Sequence, residues 1–308
     1  MMKNVALIFP GQGAQKLGMG LEFYQSSPAA KAIIDQADKL CANGLSQVMF
    51  QGPEETLTMT MYCQPAILTM SIAALKAFEV HPKFKNITVK YSAGLSLGEY
   101  SALVASGTMN FSDTLLLVQK RGAFMEEATK LARGAMAAVI GFDKDKLVAI
   151  CQQTGAEVAN FNSNEQIVIT GHADKVAAAI EAIKAAGGQK VIPLSVSGAF
   201  HSSLMAPAAQ QFAGVLEGVS ISPTPIEVVT NVNARPQATA GEIRQNLAKQ
   251  ITASVQWVAS VEYMASQGVT DFIEIGPGKV LKGLIRRINP ALTVHNIEKP
   301  ADIEGLPF

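Results

Sequence analysis

Gly94-Leu95-Ser96-Leu97-Gly98 is the stretch of sequence that decides the fold. It stands between the apolar run 87–91 and the helix-like segment 99–104. Glycines two residues before and two residues after a serine permit a strand-to-helix turn too tight for side chains, so the segment is typical of a nucleophile elbow. Such a turn would project the Ser96 hydroxyl from the end of a strand, beside the backbone N–H groups of the next helix. A purely structural glycine-rich turn is the alternative interpretation.

The composition bounds the class of protein. The chain has 308 residues, 48% hydrophobic and 16% charged, enough for one large α/β domain or a large domain with a smaller companion. Lysine plus arginine and aspartate plus glutamate both number 25, so no net charge favours nucleic acid or an anionic membrane as a partner. The three cysteines are widely spaced without a C-x-x-C motif. This favours reduced thiols and no metal site, and we expect a cytoplasmic protein.

The order of predicted elements divides the chain. Strands and helices alternate from residue 5 to about residue 128, including a helix that begins at Pro65, which predicts an α/β fold with a mostly parallel sheet. Residues 136–196 have the order strand, helix, strand, strand, helix, strand of a ferredoxin-like unit. Alternation then resumes. We therefore predict a discontinuous large domain, 1–128 and 198–308, and an inserted ferredoxin-like (βαββαβ) small domain, 129–197.

Ser96 needs a base, because a serine hydroxyl is a weak nucleophile near neutral pH. Of the four histidines, His201 follows Gly198-Ala199-Phe200 at the predicted junction between the domains. Ligand sites concentrate in clefts between domains, which favours His201. His295 remains a rival, since it has the late chain position that the histidine takes in α/β-hydrolases.

Several motifs in chain order resemble the family of malonyl-CoA:acyl carrier protein transacylases. They are Phe9-Pro10-Gly11-Gln12-Gly13, Gln64-Pro65-Ala66, Gly94-Leu95-Ser96-Leu97-Gly98-Glu99-Tyr100-Ser101-Ala102, Arg121-Gly122, Gly198-Ala199-Phe200-His201 and Glu274-Ile275-Gly276-Pro277-Gly278. Separate motifs in register across the whole chain are far more specific than one elbow. The resemblance implies an α/β-hydrolase-like large domain with an inserted ferredoxin-like domain, which agrees with the predicted order of elements.

The resemblance implies acyl transfer in two steps. Ser96 would accept the malonyl group of malonyl-CoA as an ester and pass it to the phosphopantetheine thiol of an acyl carrier protein, supplying fatty acid synthesis. His201 would move the protons, and the backbone N–H groups of Gln12 and Leu97 would form the oxyanion hole. We expect no cofactor, no contact with nucleic acid or membrane, and a monomer.

The resemblance also implies residues that bind and orient the substrate. A lone arginine is usually a solvated surface group, but Arg121 would bind the free malonyl carboxylate bidentately. The backbone carbonyl of Gln250 would orient the histidine in place of a triad carboxylate, so only its main chain is expected to matter. Asn160 and Asn162 would face the cleft, and ordinary turn residues are an equal alternative for them.

One departure and several alternatives stay open. The family often has histidine before the nucleophile, where this chain has Leu95, so no proton transfer can depend on that position.

Phe200 leaves little room for an α-methyl branch, which favours malonyl over a methylmalonyl or polyketide-type acyltransferase. A serine thioesterase or hydrolase would need an acidic triad partner. A non-catalytic carrier-binding protein is the remaining alternative. Candidate docking residues for an acidic carrier are Lys190, Lys279, Lys282, Arg286 and Arg287.

Overall fold

Two sheets organise the part of the chain that the structure describes. The structure is a computed structural model and describes residues 2–41, 44–196, 198–237 and 239–308. The strands are β1 (Lys3–Phe9), β2 (Ile87–Gly94), β3 (Gly134–Ile140), β4 (Glu157–Ser163), β5 (Gln166–His172), β6 (Lys190–Pro193), β7 (Glu227–Val229), β8 (Asp271–Ile275) and β9 (Thr293–Ile297). The helices are α1 (Leu21–Ser26), α2 (Pro28–Leu40), α3 (Leu45–Gln51), α4 (Glu54–Thr58), α5 (Thr60–Glu79), α6 (Gly98–Ala105), α7 (Phe111–Leu131), α8 (Lys144–Thr154), α9 (Ala173–Ala185), α10 (Ala206–Leu216), α11 (Ala240–Gln250), α12 (Trp257–Ser266), α13 (Val280–Ile288) and α14 (Pro300–Glu304).

The larger sheet is parallel and has the order β7-β2-β1-β8-β9. Its central strand β1 is buried on both faces from Val5 to Phe9, as a strand covered by helices on both sides must be. Phe9 at the end of β1 pairs with Gly94 at the end of β2. The loop after β1 therefore lies beside the turn after β2, which is where the sequence predicts the nucleophile.

The smaller sheet is antiparallel and has the order β4-β5-β3-β6, with α8 and α9 in its connections. This is the strand order of a ferredoxin-like unit. The segment after α11 joins this sheet, because Val255 forms a parallel bridge with Asn160 of β4. Its N–H donates to the Ala159 carbonyl at 2.8 Å, and its carbonyl accepts from the Phe161 N–H at 2.9 Å.

The domain division remains our proposal, and the two different sheets support it. Helix α7 continues to Leu131, a few residues past the predicted boundary at 128. The other predicted boundary, at Ser197, lies outside the described residues.

Some predicted elements differ from the observed ones for physical reasons. Helix α5 begins at Thr60, so the prediction that it begins at Pro65 was wrong. The helix is buried on nearly all sides, and this packing offsets the backbone hydrogen bond that proline cannot donate. Strand β6 ends at Pro193 instead of reaching residue 196, and β7 ends at Val229 instead of residue 232. The sequence also gave no sign of α1, α3, α4 and α14, which have only five to seven residues and so show no clear periodicity.

Candidate active site

Ser96 occupies a sharp turn between β2 and α6. Its φ is 53°, in the left-handed region that side chains rarely adopt. A Cβ on Gly94 would overlap the main chain of Gly98, and a Cβ on Gly98 would overlap the Phe9 carbonyl. Both glycines of the motif are therefore required by close backbone contact. The turn directs the Ser96 hydroxyl at the His201 ring, with Oγ 2.8 Å from Nε2.

His201 is the base that the structure brings to Ser96, and its ring is held from behind by main chain. Its Nδ1 lies 2.9 Å from the Gln250 carbonyl and 3.1 Å from the Ala253 carbonyl. A carbonyl can only accept, so Nδ1 carries the proton and Nε2 can accept the serine proton. Burial and then the nearby positive charge of Arg121 lower the pKa of His201 to about 4. The imidazole is therefore neutral near neutral pH.

The rival histidine lies elsewhere. In β9, His295 Nε2 is 3.1 Å from Asp271 Oδ1, and its ring packs edge-on against Phe308. This contact joins β9 to β8 in the large sheet, and Asp271 also pairs with Lys3 of β1 at 2.8 Å. His295 is thus hydrogen-bonded within the large sheet, away from Ser96, and His201 is the candidate base.

Arg121 is 1% exposed, so the interpretation of a lone arginine as a solvated surface group does not apply here. It lies on α7 and donates from Nη1 to Gln64 Oε1 at 2.7 Å. Its Nη2 donates to Gln250 Oε1 at 3.0 Å and to Ser96 Oγ at 3.2 Å. Among the described residues, its Nε has no hydrogen-bond acceptor. A buried guanidinium beside the nucleophile provides a positive charge for an anionic group of a substrate.

The side chain of Gln250 makes contacts in the site as well as its main chain. Its Nε2 donates to the Ser96 carbonyl at 3.0 Å and to Glu99 Oε2 at 2.6 Å, while its Oε1 accepts from Arg121. These contacts are not part of the expectation that only the main chain of Gln250 matters, which stays a prediction. Sequence reasoning could not find these contacts, because Gln250 lies more than a hundred residues from Ser96 along the chain.

Two further residues of the site were missed. Glu99 is 2% exposed, and burial raises its pKa to about 7. Asn231 accepts from the Ser96 N–H at 2.6 Å, donates from Nδ2 to the Gly94 carbonyl at 2.6 Å, and donates its own N–H to Glu99 Oε2 at 3.1 Å. Asn231 thus braces the strained turn on both sides of Leu95. Glu99 had a sequence signal only as an acidic residue in the first turn of a helix.

The two residues predicted to supply the oxyanion donors lie in the wall of the active-site cavity. Gln12 and Leu97 line the same cavity as Ser96, and within the described ranges neither backbone N–H donates to a protein acceptor. A Cβ on Gly11 would overlap the Leu95 carbonyl, so glycine is what lets the loop after β1 approach the turn this closely. Free N–H groups from two loops can bind a developing oxyanion.

A cavity of about 210 Å³ opens over these groups. Its wall includes Phe200 and the two asparagines of β4, Asn160 and Asn162, so both face the cleft. Asn162 Nδ2 lies 3.3 Å from Gln166 Oε1, and its Oδ1 has no partner in the described part of the chain. Leu95 lines the cavity at the position where the family often has histidine.

Part of the cavity lining is apolar and partly exposed. Leu194, Val196 and Val280 belong to this part. The candidate docking residues Lys190, Lys279, Lys282, Arg286 and Arg287 are all exposed, and Arg287 Nε lies 3.8 Å from Glu165 Oε2. In the described ranges no three His, Cys, Asp or Glu side chains group as a metal site would require, and no helix is long and apolar enough to cross a bilayer.

Comparison with known proteins gives matches along almost the whole chain. The family model described as "Acyl transferase domain" matches residues 6–295. The malonyl CoA-acyl carrier protein transacylase of Bacillus subtilis is 43% identical, over 98% of this chain and 96% of its own length. That of Staphylococcus aureus strain MW2 is 40% identical, over 99% of this chain and 98% of its own length.

Solved structures agree with this chain in fold. The malonyl CoA-acyl carrier protein transacylase from Coxiella burnetii superposes with a TM-score of 0.94 at 35% identity, covering 99% of this chain and 97% of that one. A malonyl-transacylase in complex with its type II PKS acyl-carrier protein superposes with a TM-score of 0.93 at 37% identity, covering 98% of each chain. Similarity at this level extends to both sheets.

Proposed function

This chain belongs to the acyl transferase domain family, among its malonyl CoA-acyl carrier protein transacylases, and from that premise we propose how its own residues carry out the reaction. The enzyme transfers a malonyl group from malonyl-CoA to an acyl carrier protein in fatty acid synthesis. Its cavity, its buried cation and its serine–histidine pair supply what this chemistry needs.

In the first half-reaction, Ser96 gives its hydroxyl proton to His201 Nε2 while Oγ attacks the thioester carbonyl of malonyl-CoA. The N–H groups of Gln12 and Leu97 stabilise the oxyanion of the tetrahedral intermediate. Collapse of the intermediate breaks the C–S bond, and the leaving CoA thiolate takes the proton from His201. The product is a malonyl ester on Ser96.

The second half-reaction runs the same steps in reverse with a different thiol. His201 takes the proton of the phosphopantetheine thiol of the carrier protein, and the sulfur attacks the ester carbonyl. Oγ of Ser96 leaves and recovers the proton from the imidazolium. The Ser96 proton thus leaves on CoA, and the proton of the carrier thiol replaces it. Ser96 and His201 return to their starting protonation states, so the proposal needs no cofactor. We place the reaction in the cytoplasm, a location that the three free cysteines support.

Arg121 selects the acyl group in this proposal. Its guanidinium lies beside Ser96 Oγ and is buried, so the free carboxylate of a malonyl ester can pair with it away from water. Phe200 in the cavity wall restricts space near the acyl chain, which supports malonyl over methylmalonyl as substrate.

The single observation that carries the mechanism is the pair Ser96 Oγ and His201 Nε2 at 2.8 Å, with Nδ1 held by main-chain carbonyls. A serine hydrolase of the triad type would have a carboxylate at Nδ1. Here neutral carbonyls orient the ring, and they stabilise an imidazolium less than a carboxylate would. His201 is therefore a weaker base than the histidine of a carboxylate triad. A weaker base activates water less, which supports transfer of the acyl group to a thiol over hydrolysis.

The test is incubation of the protein with radiolabelled malonyl-CoA, followed by addition of a phosphopantetheinylated acyl carrier protein. We expect label on Ser96, identified by peptide mapping and lost in Ser96→Ala, and then transfer of the label to the carrier. Release of the label as free malonate at the rate of turnover would support the hydrolase instead. A protein that never acquires label would support the non-catalytic alternative.

A further inference from the structure

Glu99 is a buried carboxylate that the mechanism above does not use. It lies on the first turn of α6, outside the cavity that Ser96 and Arg121 line. Burying a carboxylate is costly unless hydrogen bonds and a nearby opposite charge compensate for it. Here the compensation comes from donors that belong to the active site: Gln250 Nε2 at 2.6 Å and the Asn231 N–H at 3.1 Å, with the charge of Arg121 nearby.

Glu99 determines which end of the Gln250 side-chain amide faces Arg121. An amide side chain has one oxygen that accepts and one nitrogen that donates. The nitrogen donates to two acceptors, Glu99 Oε2 and the Ser96 carbonyl. If the amide were reversed, its oxygen would face a carboxylate and a carbonyl, and its nitrogen would face a guanidinium. Both contacts would be unfavourable, so the oxygen of Glu99 that accepts from Nε2 holds the amide in the observed orientation.

Gln250 in turn holds one side of the guanidinium of Arg121. Its Oε1 accepts from Nη2 at 3.0 Å, while Gln64 Oε1 accepts from Nη1 at 2.7 Å. Arg121 is thereby fixed between two amide oxygens. A long side chain fixed before binding loses less entropy when its ligand arrives.

We propose that Glu99 is a positioning residue for malonyl recognition: it holds the Gln250 amide, and the amide holds Arg121 ready for the malonyl carboxylate. This inference rests on the proposed function. It assigns Glu99 no contact with the acyl group and no proton transfer. Its effect is on binding of the carboxylate, and so on KM for malonyl-CoA more than on kcat.

The test uses three variants of Glu99 in the full-length protein. Glu99→Met fills a similar volume and removes the acceptor, Glu99→Asp withdraws the carboxylate from Gln250, and Glu99→Gln is the matched control that can still accept at the same place. We expect KM for malonyl-CoA to rise about tenfold or more in Glu99→Met and Glu99→Asp, with kcat within about threefold. Glu99→Gln should keep KM within about threefold of wild type.

Acetyl-CoA provides a second readout, because it has no carboxylate for Arg121 to bind. Acetylation of Ser96, followed by mass spectrometry, should change by less than about threefold in all three variants. A parallel fall of malonyl and acetyl loading, or an unchanged malonyl KM in Glu99→Asp, would overturn the proposal.

The outcomes remain separable from those of the proposed function. Thermal unfolding shows whether Glu99→Met is folded. If this variant lacks a cooperative transition, Glu99→Asp is compared with Glu99→Gln in its place. Absence of labelled Ser96 in the wild-type protein would contradict the proposed function itself. Normal labelling of the wild type with no KM change in the variants would contradict only the role of Glu99.

Discussion

The lowered pKa of His201 predicts an unusually acid-tolerant first half-reaction. The base must be neutral to accept the Ser96 proton, and its pKa is about 4 where an ordinary histidine has 6.5. Because the folded pKa is depressed, the active neutral form persists as pH falls and is lost only near pH 4. At pH 5 about nine-tenths of His201 stays neutral, against roughly 3% of an unperturbed imidazole. The two cases differ by about thirtyfold in expected rate at that pH.

The assay is rapid-quench measurement of ester formation on Ser96 from malonyl-CoA, between pH 4 and 8. The carrier thiol is left out, so its ionisation does not affect the profile. Glu99 has a pKa of about 7 and titrates in the same cluster, so the measurement is repeated in Glu99→Gln, where that titration is absent. Thermal melting at each pH confirms that the protein is folded.

We expect the rate in Glu99→Gln to be level down to about pH 5 and to fall by half near pH 4. A half-maximal rate between pH 6 and 7 in this variant would refute the argument, because it would mean that burial and Arg121 do not keep the imidazole neutral. A change in the rate near pH 7 that occurs in the wild type and not in Glu99→Gln would report the titration of Glu99.

Three further substitutions test the rest of the site. Arg121→Lys should lower kcat/KM for malonyl-CoA by about 10- to 100-fold in steady-state assays, since an ammonium cannot replace the charge-assisted hydrogen bonds of a planar guanidinium; a change below threefold would contradict its role. Gln250→Ala keeps the main-chain carbonyl that contacts His201 but removes three side-chain hydrogen bonds, so we expect at least a tenfold loss of malonyl transfer. Near-normal activity would instead support the interpretation that only the main chain of Gln250 matters. In Gly11→Ala the added methyl group overlaps the Leu95 carbonyl and should displace the Gln12 N–H. We expect kcat to fall about 10- to 100-fold with little change in KM. An unchanged kcat would argue against the Gln12 N–H as an oxyanion donor.

Local features of the site could be predicted because their physical causes are local. The turn at Ser96 requires glycines at fixed spacing, and that spacing is visible in the sequence. The alternation of strands and helices predicted the parallel sheet, and the order of elements in residues 136–196 predicted the strand order of the small sheet. His201 is favoured over His295 by its position and by the family resemblance, because the residues alone do not show which histidine the fold brings to Ser96.

The rest of the site depends on contacts between distant parts of the chain. Gln64, Asn231 and Gln250 come from separate segments and carry ordinary polar side chains. Only the family resemblance points to Gln64 and Gln250, and the chemistry of the local sequence does not distinguish any of the three from surface residues. Glu99 is similar, because an acidic residue at a helix N-terminus already has a sufficient explanation in the helix dipole. These side chains act in the site because they are buried against one another, and burial depends on the whole fold.

The bridge between Val255 and β4 has a consequence for the alignment of the catalytic base. Gln250 and Ala253, whose carbonyls align the His201 ring, precede this bridge by only a few residues. Any displacement of β4 would therefore move these carbonyls and change the orientation of the imidazole. The alignment of the base that activates Ser96 is thus tied to a strand of the smaller sheet, although Ser96 itself follows a strand of the larger one.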